Sequence, residues 1–374
     1  MDLTLTAADR ALGEEFAAWL ETNLQLPERF SSLDEEMAWG RTWQAKLAEG
    51  RWVGVSWPRE FGGRGASPLE VALVNLAYAR SRAPQPVNRV GLNLAGPTLL
   101  AHGTDAQKAR WLPPLLSAEE IWCQLFSEPG AGSDLASLTT RAEPVDGGFR
   151  LSGQKVWSSY AQYARWGICL ARTDPDATKH RGISYLVVDM QAPGVEIRPL
   201  VQTTGEAEFN ETWLDDVFVP EDHLVGPLHE GWRVANTTLA HERGTTFPFK
   251  EQVVQEVFFG EMAERAAAQG LFDDVLTADQ LAASYVELRL LSLHNLRTLT
   301  RLSEGLEPGP ESSWVKLVWT DVTQHLSKLS LQVSPDDPLV QRQLLWSGAA
   351  SIAGGTSEVQ RTILSERILG LPRG

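Results

Sequence analysis

Gln124-Leu125-Phe126-Ser127-Glu128-Pro129-Gly130-Ala131-Gly132-Ser133-Asp134 is the stretch around which the rest of the chain arranges itself. An apolar start runs into Ser-Glu-Pro-Gly, and a second glycine follows two residues later. Proline presets one turn dihedral and glycine opens the others, so the segment reads as a turn at the end of a strand. Taken alone it is either an ordinary turn or a loop whose backbone N–H groups and small hydroxyls approach a ligand closely.

The texture changes on either side of it. From Thr6 to about residue 120 the pattern is helical. Thr6 precedes Leu12, Phe16 and Leu20 at four-residue spacing, and Ser67-Pro68-Leu69-Glu70 and Thr104-Asp105-Ala106-Gln107 have the form of capping boxes. Phe149-Arg150-Leu151, Trp166 to Leu170, Ile183 to Val188 and Val195-Glu196-Ile197 read as strands, divided by turns at Asp146-Gly147-Gly148 and Ala192-Pro193-Gly194. A further strand pair is expected from Phe209 to Val219. Short strands at this spacing suggest an antiparallel barrel or sandwich. Helical patterning returns at Gly231. Thr277 to Gln280 is expected to cap a helix bearing Leu281, Tyr285 and Leu288, and Ser357 to Gln360 a last helix with Val359, Ile363 and Ile368 inward. The expected organisation is α+β and multi-domain, with boundaries at 1–120 (helical), 121–229 (strands) and 230–374 (helical bundle).

Composition sets outer limits. The chain has 374 residues and a net charge of −15, which argues against a broad nucleic-acid interface. No apolar run reaches the roughly 18–20 residues of a membrane span, and Met1 to Thr6 lacks the basic and apolar regions of a signal peptide, so a cytoplasmic location is expected. Cys123 and Cys169 sit in apolar surroundings, as buried free thiols rather than a disulfide or metal site; no metal is expected. Most of the 14 Trp should be core residues.

The opening stretch resembles the signature at the entrance of the β domain of acyl-CoA dehydrogenases. The likeness extends to Gly153-Gln154-Lys155-Val156-Trp157-Ser158-Ser159, to Phe209-Asn210-Glu211 and Asp215 to Pro220, to Gly354-Gly355-Thr356-Ser357-Glu358-Val359-Gln360-Arg361, and to Glu366 to Pro372. These blocks follow the family's order over most of the chain, and the Gly-Gly-Thr-Ser-Glu ending looks most like a bacterial branch handling branched or bulky acyl groups. The resemblance implies an N-terminal helical domain, a middle antiparallel β-barrel and a C-terminal four-helix bundle. It also implies FAD as cofactor and an acyl-CoA substrate. Electron-transferring flavoprotein would be the acceptor, and the assembly a homodimer, homotetramer or heterotetramer. By the same resemblance, Gln124, Leu125, Phe126, Ser127, Gly132, Ser133, Trp157, Ser158, Ser159, Thr356 and Glu358 hold the cofactor. Ser133, Leu239, Arg243, Gly354 and Gly355 meet the substrate.

Many family members place the proton-abstracting carboxylate just before the Gly-Thr of the last helix cap. Here Gly354-Gly355 precedes Thr356, and glycine takes no proton. Others, isovaleryl-CoA dehydrogenase among them, carry it on an earlier helix before an arginine, and Leu239-Ala240-His241-Glu242-Arg243 matches that arrangement. At roughly 100° per residue Trp232, Ala235, Leu239 and Glu242 share one face. A carboxylate on an apolar stripe is costly unless paired or functional, and burial raises its pKa toward a base's working range. Glu242 is therefore the candidate catalytic base; a Glu242–Arg243 structural pair or a plain helix surface is the alternative.

Two family elements are missing. An Arg-x-x-Phe-Gly segment that reaches FAD across a subunit interface is replaced by the acidic Asp273 to Gln280, and a Gln-x-x-Gly-Gly element by Ser334-Pro335-Asp336-Asp337-Pro338. Either the FAD pyrophosphate is held differently, or a second, non-identical subunit supplies the contacts, as in some bacterial steroid-degrading relatives. A non-catalytic or FAD-sharing subunit, and an O2-using oxidase or monooxygenase of the same fold, stand as alternatives to an active dehydrogenase.

Overall fold

A computed structural model describes residues 5–27, 30–241, 250–306 and 309–372. In chain order the helices are α1 (Ala7–Asn23), α2 (Leu33–Glu49), α3 (Pro68–Ser81), α4 (Gly96–His102) and α5 (Asp105–Leu116), then, after the strands, α6 (Gly231–His241), α7 (Gln252–Ala268), α8 (Val275–Ser303), α9 (Ser312–Val333), α10 (Pro338–Ser347) and α11 (Ser357–Arg367). The strands are β1 (Trp122–Leu125), β2 (Arg141–Val145), β3 (Gly148–Lys155), β4 (Trp166–Arg172), β5 (Ile183–Asp189), β6 (Val195–Leu200) and β7 (Phe209–Pro220). The chain divides into two compact units: Met1–Leu26, Ala66–Ala83 and Glu242–Gly374 in one, Pro27–Gly65 and Pro84–His241 in the other.

The second unit is built on one seven-stranded sheet of order β1-β4-β2-β3-β7-β6, with β5 on β4. The expected antiparallel pairing holds for β2–β3, β3–β7, β6–β7 and β4–β5. The sheet is nevertheless mixed, because β1 joins β4 in parallel and β2 touches β4 in parallel at Arg141–Arg172. β1 arrives from α5 rather than from a hairpin, and only a hairpin would force the antiparallel sense. The strand pair expected over 209–219 is a single strand. Asp215-Asp216 makes a bulge, with Asp216 at φ 53° and a register shift opposite Leu151/Gly153, instead of a turn. One face of the sheet buries Cys123, Leu125, Phe149, Leu151, Leu186 and Val217; both cysteines are buried free thiols.

A buried amide network fixes where β1 begins. Gln44 donates to the Leu115 and Leu116 carbonyls, and Asn88 donates to the carbonyls of Leu115 and Glu120 and accepts from the Trp122 N–H. α6 is clamped onto the same unit. Thr238 shares a 2.8 Å hydrogen bond with Thr98 of α4 and one of 3.3 Å with Tyr185 of β5, and Thr237 meets His102 at 2.8 Å. Of the stripe expected on α6, Ala235 is buried, whereas Trp232, lying against His180 at 4.6 Å, and Leu239 are half-buried. The clamp makes Gly231, Val234, Ala235 and Thr238 the buried side.

In the first unit α1 packs on α3, as the adjacent rings of Phe16 and Tyr78 show, and α7, α8 and α9 share a core of Met262, Leu281, Leu288, Val322 and Leu326. The capping boxes at Thr6, Ser67 and Thr104 form as expected. Two caps move. α8 starts from Asp274, whose carboxylate accepts from the Thr277 N–H and hydroxyl, so Thr277 lies inside the first turn. α11 starts from Thr356 rather than Ser357. Tyr285, expected in line with Leu281 and Leu288, and Ile368, expected inward, are exposed. The two acidic segments standing in for family elements are helix caps, Asp274 for α8 and Asp337 for α10.

An alanine Cβ at Gly231 would lie 2.4–2.5 Å from the backbone of Ser184 and Tyr185. Backbone there has no room to yield, so Gly231→Ala should destabilise the chain by about 2–3 kcal/mol. Urea unfolding checks this; a midpoint equal to that of the parent chain would contradict the close approach of α6 to β5.

Candidate active site

The quoted turn is anchored from below. Glu128 and Ala131 exchange two 3.0 Å backbone hydrogen bonds, leaving Pro129-Gly130 at the tip. The Glu128 side chain points inward. One oxygen accepts from the Thr139 N–H at 2.7 Å and the Thr139 hydroxyl at 2.8 Å, the other from the Thr140 N–H at 2.9 Å and from Lys155 Nζ at 2.9 Å. Lys155 is wholly buried and also donates to the carbonyls of Phe126 at 3.1 Å and Leu170 at 2.8 Å. All three ammonium hydrogens thus have acceptors, the condition under which a buried pair is tolerated. Burial by itself would raise the pKa of Glu128, but the Lys155 charge and the Thr139 and Thr140 donors outweigh it and hold the carboxyl at about 2.

Lys155 also leads directly into the next element. Val156 N–H bonds the Ser127 carbonyl at 2.9 Å, bringing the end of β3 beside the turn. Trp157 then takes φ 61°, a left-handed conformation that a bulky residue adopts only under constraint. Its ring is 60% exposed and meets Phe209 edge-on at 5.9 Å. Ser158 and Asn210 hold this geometry through bonds of 3.1 Å and 3.0 Å, so β7 braces the segment.

The sequence-expected residues of this unit therefore gather in one place, with distinct exposures. Leu125 and Phe126 bury their side chains, Phe126 against Tyr185, and can offer a ligand only their main chain. Ser133 is exposed, Gln124, Ser127 and Ser159 half-buried. Ser158, expected to present a polar contact, is buried, with a hydroxyl that has no hydrogen-bond partner among the described residues. Gly130 and Gly132 have open space where a Cβ would stand. An exposed aromatic plane in strained backbone, beside an anchored turn with a roomy tip, fits a flat ring cofactor.

The C-terminal candidates lie in the other unit. Gly354 and Gly355 have φ 67° and 94°, and the buried Gln360 side chain donates to both carbonyls at 3.3 Å. Both φ values lie in the left-handed region that favours glycine, and a Cβ at 355 would in addition meet the flexible end of the Gln360 side chain at 2.6 Å. Thr356 caps α11, and Glu358 in its first turn is exposed, its carboxyl held below the usual range by its own backbone N–H and then by Thr356. Glu242 and Arg243 lie outside the described residues; α6 is described as far as His241. Lys155, Asn210 and Gln360 were absent from the sequence-expected site. Each stood in a quoted block, but nothing within its own block showed what its side chain would touch.

Family profiles match nearly the whole chain: "Acyl-CoA dehydrogenase, N-terminal domain" over residues 6–119, "middle domain" over 123–217 and "C-terminal domain" over 229–369. The chain belongs to the acyl-CoA dehydrogenase family. It is an oxidoreductase of that family, and FAD is the family's cofactor. It is 43% identical to acyl-CoA dehydrogenase FadE34 of Mycobacterium tuberculosis over 88% of its own length, spanning 46% of that longer protein. It is 40% identical to acyl-CoA dehydrogenase IpdE1 of the same organism, covering 89% of this chain and 88% of the relative. The solved structure of the "Tcur3481-Tcur3483 steroid ACAD" superposes with a TM-score of 0.87 at 28% identity, covering 100% of both chains. No helix among the described residues is long and apolar enough to cross a membrane.

Replacing Lys155 with Met strands a buried carboxylate and should cost about 3–5 kcal/mol at neutral pH. The sign of the pH dependence follows. Glu128 titrates at about 4.3 when unfolded and at about 2 when folded, so its stabilising contribution is complete above about pH 4.3 and lost as pH falls toward 2. In Lys155→Met, acidification instead neutralises an uncompensated charge, and the gap to the parent chain narrows. Denaturant titrations across that window test this; parallel profiles would contradict the pairing.

Proposed function

We propose that this acyl-CoA dehydrogenase removes hydrogen from the α and β carbons of an acyl-CoA thioester with a bulky acyl group, forming the trans-2-enoyl-CoA. The observation that supports it most is the anchored turn beside exposed Trp157, a platform shaped for a flavin ring. The bulky acyl group is supported by the ending Gly354-Gly355-Thr356-Ser357-Glu358 and by the structural likeness to a protein described as a steroid ACAD.

In this reading Gln124 to Ser127, Gly132, Ser133 and Trp157 to Ser159 hold the flavin side of FAD, together with Thr356 and Glu358. Ser133, Leu239, Arg243, Gly354 and Gly355 meet the substrate. FAD, when bound, supplies the two-electron acceptor for the β-hydride. Glu242 removes the α-proton; it follows His241, the last described residue of a helix whose Thr238 is pinned to Thr98 and Tyr185. Hydrogen bonds to the thioester oxygen stabilise the enolate charge as it develops. Electron-transferring flavoprotein is the proposed acceptor.

A second reading is a subunit that shares FAD sites with a non-identical chain. It is favoured by Asp274 and Asp337, which are engaged as helix caps where relatives carry FAD-directed elements, and by the solved relative Tcur3481-Tcur3483, whose name joins two designations. Protein that stays colourless after FAD is added would favour it.

Glu242→Gln should retain yellow, bound FAD yet lose substrate-dependent bleaching by about 10²–10⁴-fold. Near-normal bleaching in that variant would refute Glu242 as the base, and loss of the colour itself would assign it to cofactor retention instead.

A further inference from the structure

Lys316 of α9 is wholly buried, and the proposed chemistry makes no use of it. It heads a polar row at four-residue spacing, Lys316, Thr320 and Gln324. Residues four apart share one face of a helix, and this face meets the segment leading from α10 to α11. Lys316 Nζ donates to the Ala350 carbonyl at 2.6 Å, the Thr320 hydroxyl reaches the same oxygen at 3.1 Å, and the Gln324 amide reaches the Ser347 carbonyl at 3.4 Å. The single Thr320 proton is shared with the Lys316 carbonyl at 2.9 Å. The ammonium is therefore the stronger of the two donors to Ala350.

The backbone explains why that carbonyl takes a charged donor. Gly348–Ser351 continues α10 as a 3-10 turn, and Gly354, at φ 67°, then turns the chain out of its helical course. The last carbonyls of a helical run receive no N–H from a following turn and are met by side chains or water, and a cation there also suits the helix dipole. Ala350 is buried, packed with Leu291, Val315 and Trp319, so the donor must come from the protein. An apolar residue at 316 would avoid the cost of desolvating an ammonium. The chain carries that cost at the root of the Gly354-Gly355 turn, whose far side Gln360 closes from α11. The Glu358 carboxyl just beyond is held low first by its own backbone N–H, then by Thr356 and, among charges, by Arg361 and Lys316.

We infer that Lys316 is a positioning residue: by pinning Ala350 it holds the 354–358 turn in the conformation that presents Thr356 and Glu358 to FAD. The inference rests on the proposed reading of that turn as a cofactor contact. Lys316 itself touches neither FAD nor substrate and acts through the four residues of backbone between Ala350 and the double glycine. Two anchors, one ahead of the turn and one behind it, leave Thr356 a single course into α11.

Two measurements on the full-length, FAD-loaded chain test it, both at a temperature where every variant compared is folded. One is amide hydrogen exchange of the peptide covering 351–358; the other is FAD release, followed by the rise of flavin fluorescence on dilution. Lys316→Met removes the ammonium at similar side-chain length and should speed both by about tenfold, the worth of one charge-assisted hydrogen bond. Thr320→Val removes the shared, weaker donor and should speed both by about threefold. Leu326→Ala opens the core that α9 shares with α7 and α8; it should lower the melting temperature yet leave both rates within about twofold of the parent. A lysine with only structural work would make Lys316→Met and Leu326→Ala behave alike. Where Lys316→Met does not fold, Thr320→Val set against Leu326→Ala decides the matter. Exchange or FAD release unchanged in Thr320→Val, or raised equally by Leu326→Ala, would overturn the inference. Failure of the proposed reaction shows differently, in a parent that holds FAD and is bleached by no thioester.

Discussion

The Glu128–Lys155 pair is the constraint on which the candidate site depends. A glycine-rich turn with an open tip has little of its own to hold it, since glycine brings backbone freedom and no packing. The chain solves this by sinking the Glu128 carboxylate into the sheet, where Lys155 and the Thr139–Thr140 backbone receive it. Desolvating both ions is expensive, and their full set of hydrogen bonds is what makes the burial sustainable. Two residues beyond the lysine stands Trp157, so the interaction that fixes the turn also fixes the start of the strained segment that exposes the indole.

The two units contribute different kinds of geometry. The sheet unit provides strained and anchored backbone: the 127–140 loop, the left-handed Trp157, and α6 pressed so closely onto β5 that only glycine fits at 231. The helical unit provides caps and turns, with Gln360 closing the Gly354-Gly355 turn and Thr356 starting α11. Asp274 and Asp337 do purely local work, each satisfying free N–H groups of a helix start.

Elements with local causes were legible in the sequence. The capping boxes at Thr6, Ser67 and Thr104 formed where the side-chain spacing placed them, and the turns at Gly147 and Gly194 took the positive φ that glycine allows. Features decided by distant partners were not. β2 was not expected, because Arg141 to Val145 is largely exposed and lacks alternation until β3 pairs with it. The single strand β7 was split in expectation because Asp215-Asp216 looks like a turn, and only pairing with β3 makes it a bulge. The cap of α8 was misplaced by three residues and that of α11 by one, since several nearby Ser, Thr and Asp residues offered the same chemistry. Within the site, the exposed Trp157 stood in a quoted motif, but the residues that hold it there, Lys155, Phe209 and Asn210, act through contacts far apart in the sequence.

Acyl-CoA dehydrogenation by this chain is tested most directly by anaerobic titration of the yellow protein with acyl-CoA thioesters of graded bulk, read by flavin absorbance and by product mass. Stoichiometric bleaching with a bulky thioester, and a product lighter by two hydrogens, is the predicted result. Flavin that stays oxidised across the whole series, with every thioester recovered unchanged, would contradict it.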